Sequence, residues 1–95
     1  MDSDDPTQPL QLLTPDGTLV DNPRFPWEGS DEDLVDMLRQ MTTARRFDVE
    51  GAALQRHGEL GLWAPLSGQE AYQAAVTKVM KPQDMVFGTY REQSI

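Results

Sequence analysis

The chain has no cysteine among its 95 residues, so it contains neither a disulfide framework nor a thiolate that binds metal or acts as a nucleophile. Histidine occurs once, as His57, which removes the paired-imidazole metal motifs. No apolar run approaches the roughly 20 residues needed to span a bilayer. The opening Met1-Asp2-Ser3-Asp4-Asp5-Pro6 lacks the basic start and apolar stretch of a secretory signal, and the arginine-rich pattern of a mitochondrial presequence. Bases are scarce where acids are dense: residues 1–36 hold ten acids and only Arg24, whereas residues 37–95 hold six acids and seven bases. The net charge of −8 therefore belongs to the leader, and no face is basic enough to displace counterions from nucleic acid or an anionic membrane. The sequence also lacks a Walker loop, a dinucleotide glycine fingerprint and a Gly-x-Ser-x-Gly elbow. Together these absences lead to the expectation of a soluble, cytoplasmic protein without nucleic-acid or membrane partners.

What is present is modest. A chain of this length buries only about 60–65% of the surface that its unfolded state exposes. With 38% hydrophobic residues and a mean hydropathy of −0.57, a deep core is not expected, and a partner surface is the natural complement. Residues 1–29 read as an acidic leader and extended arm. Residues 1–9 are too polar to offset their ordering entropy and are expected to be disordered. Pro15-Asp16-Gly17, between Leu10–Leu13 and Leu19-Val20, predicts a turn with short extended arms. Residues 21–29, with Pro23, Pro26, Phe25 and Trp27, predict an irregular arm that packs by its aromatics and lies along another subunit.

Ser30 followed by Asp31, Glu32 and Asp33 is a helix start: a hydroxyl cap with three carboxylates on the positive end of the dipole. Leu34, Met37, Leu38, Met41, Ala44, Phe47, Gly51 and Leu54 recur at helical spacing, and Gly58 supplies a stop, so a long helix is predicted from Asp31 to about His57. Its other face, with Arg39, Arg45, Asp48, Glu50 and Arg56, is expected to be solvated or ion-paired. A second helix is predicted over about 68–80, capped by Ser67 or Gly68, with Tyr72, Ala75, Val76 and Val79 on its apolar stripe and Pro82 beyond its end. After a turn at Gln83-Asp84, Met85-Val86-Phe87 predicts a short buried strand over about 85–88, opening at Gly88-Thr89.

Tyr90-Arg91-Glu92 follows that strand end, and a guanidinium fork beside a phenol suits a pair of phosphate oxygens. The plainer reading is an Arg91–Glu92 ion pair with Tyr90 as packing. His57 at the last turn of the long helix is adequately explained by the dipole. Trp63 either lines a pocket or seals its apolar loop onto the helices. Glu70 at a helix start is stabilising without any catalytic duty.

Taken in order, Arg45 to Ala71 (RRFDVEGAALQRHGELGLWAPLSGQEA) and Lys81 to Glu92 (KPQDMVFGTYRE) resemble the amino-terminal part of the alpha subunit of thiamine-diphosphate-dependent 2-oxoacid dehydrogenases. The resemblance is closest to the bacterial pyruvate and branched-chain 2-oxoacid enzymes and runs from about Leu10 to Glu92. It implies an α/β fold class: this chain would be the first piece of the thiamine-diphosphate-binding fold, mostly helical, with residues 30–95 the truncated start of that domain. It also implies a beta subunit as partner in an alpha2-beta2 heterotetramer, and a lipoyl acyltransferase that accepts the acyl group. The implied reaction is oxidative decarboxylation of pyruvate or a branched-chain 2-oxoacid with reductive acylation of a lipoyl group, the cofactor serving as electron sink. By the same resemblance Tyr90 and Arg91 contact the cofactor diphosphate, and Trp63 forms part of the wall of the 2-oxoacid pocket.

Two departures from the family pattern bear on this. Gln93-Ser94-Ile95 stands where relatives usually have a glycine turn after the Tyr-Arg-Glu motif. The Gly-Asp-Gly motif and the asparagine that hold magnesium, and the catalytic histidine, fall beyond Ile95. The expectation is therefore an inactive amino-terminal fragment with no catalytic residue and no metal ligand of its own. A different class, a small non-enzymatic helical interaction module, needs only the amphipathic long helix and the aromatic arm. A metal-dependent hydrolase built on Asp31, Asp33 and Asp36 has less support, because dipole stabilisation at a helix start already explains those acids.

Overall fold

The computed structural model describes residues 5–95, in which two helices are the regular elements: α1, Asp31–Arg56, and α2, Glu70–Val79. Helix α1 begins where the sequence predicts. Ser30 accepts from the Asp33 N–H and Asp33 accepts from the Ser30 N–H, a complete capping box, and Asp31, Glu32 and Asp33 occupy the first turn. It ends at His57, and Gly58 leaves the helix at φ +79°, a conformation that favours glycine.

Helix α2 is shorter than its predicted span and starts differently. Its N-cap is Gln69, whose side chain makes no capping bond, so neither Ser67 nor Gly68 acts as the cap. Gly68, at φ +92°, instead turns the chain, and its N–H donates to Glu70 Oε2 at 2.8 Å. The helices run antiparallel, tied at one end of α2 by the ion pair of Arg45 with Glu70 and at the other by Lys78, 2.7 Å from Asp33 and 3.9 Å from Asp36.

The buried faces depart from the predicted stripes. In α1 the inward positions are Met37, Met41, Ala44, Asp48 and Gly51, while Leu38, Phe47 and Leu54 are exposed. Asp48, expected on the solvated face, is only 5% exposed. In α2 the inward face is Glu70, Gln73 and Ala74, whereas Tyr72, Ala75 and Val79 of the predicted stripe face outward and only Val76 is half-buried. Small side chains set this arrangement, since Ala44, Gly51 and Ala74 let helix and loop backbones approach closely. Among the described residues the buried apolar side chains are Ala44, Leu66 and Ala74, with Leu66 fully enclosed. Polar groups fill the rest of the interior, and no buried side-chain nitrogen or oxygen among the described residues lacks a partner.

The predicted strand over 85–88 is not formed: Met85 is 78% and Phe87 91% exposed, and the segment has no ladder partner among the described residues. A strand needs a neighbouring backbone to take its N–H and C=O groups, and none lies alongside. The turn before it does form, with the Asp84 N–H donating to Lys81 O and the Lys81 N–H to Asp84 Oδ2. At the other end of the chain the predicted turn is present. Leu13 and Leu19 form an antiparallel bridge, Gly17 sits at φ +86°, and the Thr14 N–H donates to Thr18 O. The arm over residues 21–29 is irregular, with the Trp27 ring folded onto Gly29. Of the segment expected to be disordered, residues 1–4 lie outside the described residues, and Asp5 accepts from the Thr7 N–H and hydroxyl. The radius of gyration, 16.5 Å, exceeds the roughly 12–13 Å of a compact chain this long, in keeping with a 26-residue helix as its main element. No helix among the described residues is long and apolar enough to cross a membrane.

Candidate functional site

Of the residues singled out in the sequence, Trp63 lies on the loop 61–68 and Tyr90-Arg91 on the segment 88–95, and hydrogen bonds join that loop to that segment. The loop is shaped by Asp48. Its Oδ1 accepts from Trp63 Nε1 at 3.0 Å and from the Leu66 N–H at 2.8 Å, so one buried carboxylate oxygen fixes both ends of Trp63–Leu66. Leu66 fills the interior, and the Trp63 ring packs edge-on against Phe47, with centroids 5.1 Å apart. Trp63 lies so close over α1 that a Cβ on Gly51 would stand 2.4 Å from its ring, which explains glycine inside a helix. The structure thus uses Trp63 to seal the loop onto α1, where the ring is half-buried.

The loop carbonyls left free by this arrangement receive the last segment. Arg91 Nη1 donates to Pro65 O at 2.6 Å, and Gln93 Nε2 to Ala64 O at 2.7 Å. Gln73, fully buried on α2, holds the same segment by its backbone: its Nε2 donates to Arg91 O at 2.6 Å, and its Oε1 accepts from the Ser94 N–H at 3.1 Å and from the Ser94 hydroxyl. Glu92 turns away from Arg91, and no ion pair between them forms. One Glu92 oxygen accepts from the Thr89 N–H and hydroxyl, the other from the Tyr72 hydroxyl at 3.0 Å. The Thr89 hydroxyl bond, then that of Tyr72, holds the Glu92 carboxyl below its ordinary range; burial, with Glu92 beside it, raises the Tyr72 phenol.

Tyr90 is 69% exposed, and the Arg91 guanidinium carbon lies 5.4 Å from its ring centroid. One of the five guanidinium N–H donors is engaged by Pro65, which leaves a flat fork with free donors beside an exposed phenol. That donor set fits the oxygens of a diphosphate. It offers nothing to a divalent cation, and no group of three metal-ligating side chains occurs among the described residues.

The remaining candidates are explained structurally. His57 is the exposed C-cap of α1. Glu70 is 5% exposed and engaged by Arg45. Arg45 foremost, then the backbone N–H groups of Glu70 itself and Gly68, lower its carboxyl to about 2 against the opposing effect of burial. Asp33 and Asp36, two of the three acids of the hydrolase reading, serve the helix cap and pair with Lys78 and Arg39. The hollow of about 510 Å³ between the helices and Gln93-Ser94 is lined by Ala44, Phe47 and Thr77, and includes none of Trp63, Tyr90 or Arg91.

Sequence reasoning missed Asp48 and Gln73, the two buried polar residues that assemble this site. The signal was available for Asp48: it continues the 37-41-44 series to 51, a polar residue on a helical stripe of inward positions. Nothing in the local sequence distinguishes Gln73 from an exposed glutamine.

Residues 38–95, carrying both the loop and the Tyr90-Arg91 segment, match the family Dehydrogenase E1 component, and the chain belongs to that family. Among curated proteins it is similar to the 3-methyl-2-oxobutanoate dehydrogenase subunit alpha of Mycobacterium tuberculosis, at 38% identity over 90% of this chain and 23% of the relative. It is also similar to the pyruvate dehydrogenase E1 component subunits alpha of Staphylococcus epidermidis and Bacillus cereus, at 35% and 36% identity over 87% of this chain and 22% of each relative. The chain thus spans under a quarter of the length of these relatives. No solved structure matches it.

Proposed function

We propose that the chain is the amino-terminal segment of a 2-oxoacid dehydrogenase alpha subunit, and that Tyr90 and Arg91 contact the diphosphate of thiamine diphosphate. One observation carries the reading: the family match spans the segment in which Arg91 is held with its remaining donors free. Arg91 supplies charge-assisted bonds to phosphate oxygens, and the Tyr90 hydroxyl adds one more and orients the group. Trp63, sealed between Phe47 and Asp48, presents its outer edge as an apolar wall for a 2-oxoacid side chain. Bound thiamine diphosphate supplies the electron sink for decarboxylating a 2-oxoacid. No group of three metal-ligating side chains occurs among the described residues, and Tyr90 and Arg91 are the groups that would hold the diphosphate.

The relatives are named for both pyruvate and 3-methyl-2-oxobutanoate, and either is a candidate substrate for the assembled enzyme. Leu62, Val79, Met85 and Phe87 are all at least 75% exposed, which supports a second chain, a beta subunit in an alpha2-beta2 assembly, as their cover. A lipoyl acyltransferase would accept the acyl product in the cytoplasm. Sequencing the transcript in frame past the Ile95 codon tests the reading. Gly-Asp-Gly followed by an asparagine is the expected result; an immediate stop codon would favour a binding module over an enzyme segment.

A further inference from the structure

We infer that Asp48, in the middle of α1, is the positioning residue for Arg91, acting through the loop Trp63–Leu66. The inference rests on the reading of Arg91 as the diphosphate contact, but its geometry stands apart from that reading. A guanidinium on a flexible stem binds phosphate well only if its fork is already aimed. Arg91 is aimed by one bond, Nη1 to Pro65 O at 2.6 Å. That carbonyl belongs to a loop with no regular secondary structure, whose course is set by the two bonds to Asp48 Oδ1 on either side of it: Trp63 Nε1 two residues before and the Leu66 N–H one residue after. Asp48 is 5% exposed, and no hydrogen bond or ion pair at its carboxylate other than these two occurs among the described residues. A buried carboxylate is costly in an interior unless it is hydrogen-bonded, and here both of its bonds go to the loop. The backbone of Arg91 is held separately, by Gln73 Nε2, with Ser94 held by Gln73 Oε1. The two anchors therefore act on different parts of the segment. Gln73 fixes where its backbone runs, and Asp48 fixes where the guanidinium points.

This separation gives the test its signature. Nitrogen-15 NMR of the chain follows the Leu66 amide, the Trp63 indole, the Ser94 amide and the Arg91 side-chain N–H, while inorganic pyrophosphate is titrated as the probe. In D48A the Leu66, Trp63 and Arg91 side-chain signals are expected to lose exchange protection together while Ser94 keeps its own. D48N, whose Oδ1 still accepts both bonds, is expected to retain all four. Pyrophosphate affinity is expected to fall on the order of tenfold in D48A, as when a hydrogen bond to a charged group is lost. In an R91A background D48A should cost nothing further, because both changes act on one contact.

Unchanged Arg91 signals in D48A, or joint loss of Ser94 protection in a folded protein, would overturn the positioning role. If D48A does not fold, native-state exchange of the wild-type chain decides the matter: Leu66 and Arg91 opening as one unit supports the inference, and independent opening contradicts it. R91A binding pyrophosphate as tightly as wild type would instead overturn the diphosphate reading, leaving the positioning role to be judged on the four NMR signals.

Discussion

At the scale of single residues, the centre of this small molecule is held by hydrogen-bonded polar side chains, and no fully buried side-chain nitrogen or oxygen among the described residues lacks a partner. Gly51 shows how tightly they are fitted. Alanine is intrinsically better in a helix by about 1 kcal/mol, yet its Cβ would stand 2.4 Å from a Trp63 ring that Asp48 pins in place. Gly51→Ala is expected to destabilise the chain by about 1–3 kcal/mol in urea denaturation, as over-packing does. A neutral or stabilising result would show that Trp63 is free to move. Glu70 gives the clearest pH dependence. Its carboxyl is lowered from an ordinary 4.5 to about 2 in the folded chain, so it binds protons more weakly folded than unfolded. Its contribution is fully present above 4.5 and is lost as pH falls toward 2. Asp33, lowered from 3.8 to about 2 chiefly by Lys78, adds to the lower part of the same window. Melting temperature should therefore fall across this range, and Glu70→Gln should flatten the fall without abolishing it. An acid limb unchanged in Glu70→Gln would contradict the ion pair with Arg45.

At the scale of elements, the long helix was legible almost to the residue, because its start and stop are local chemistry: a capping box at Ser30 and a glycine at positive φ at 58. Ser30→Ala is expected to cost about 1 kcal/mol, read by thermal denaturation, since it leaves the Asp33 N–H without its cap. What the sequence hid was which face turns inward. Apolar letters at positions 38, 47, 54, 72 and 79 marked the wrong stripes, because α1 and α2 meet through small and hydrogen-bonded residues rather than large ones. Asp48 and Gln73 are buried for the sake of segments that arrive 15 to 21 residues later in the chain; the helical series 37-41-44-48-51 marks Asp48 as inward, whereas nothing local marks Gln73. The strand over 85–88 failed for a related reason. Its apolar pattern suits a buried strand, but strand formation depends on a partner ladder and not on the segment itself. The motif around Tyr90 and Arg91 was visible as a string of letters; only the structure shows that Arg91 is held by Pro65 and not by Glu92.

At the scale of the whole molecule, the interior is too small for the surface it leaves bare. Among the described residues three apolar residues are buried, while Leu38, Leu62, Val79, Met85 and Phe87 are each more than 60% exposed. Such a surface ordinarily meets another protein. The free chain is expected to bind a hydrophobic dye in its native range and to sediment faster as its concentration rises; a concentration-independent monomer without dye binding would support a self-sufficient module. The most direct test of the central claim places residues 38–95 into the alpha subunit of the Staphylococcus epidermidis pyruvate dehydrogenase, with its own beta subunit, and titrates thiamine diphosphate by calorimetry with and without Arg91→Ala. The account expects the chimera to bind the cofactor and Arg91→Ala to weaken it by about 10- to 100-fold, the range for a lost charge-assisted hydrogen bond. A chimera that assembles but binds no cofactor, or binds it equally well without Arg91, would contradict it.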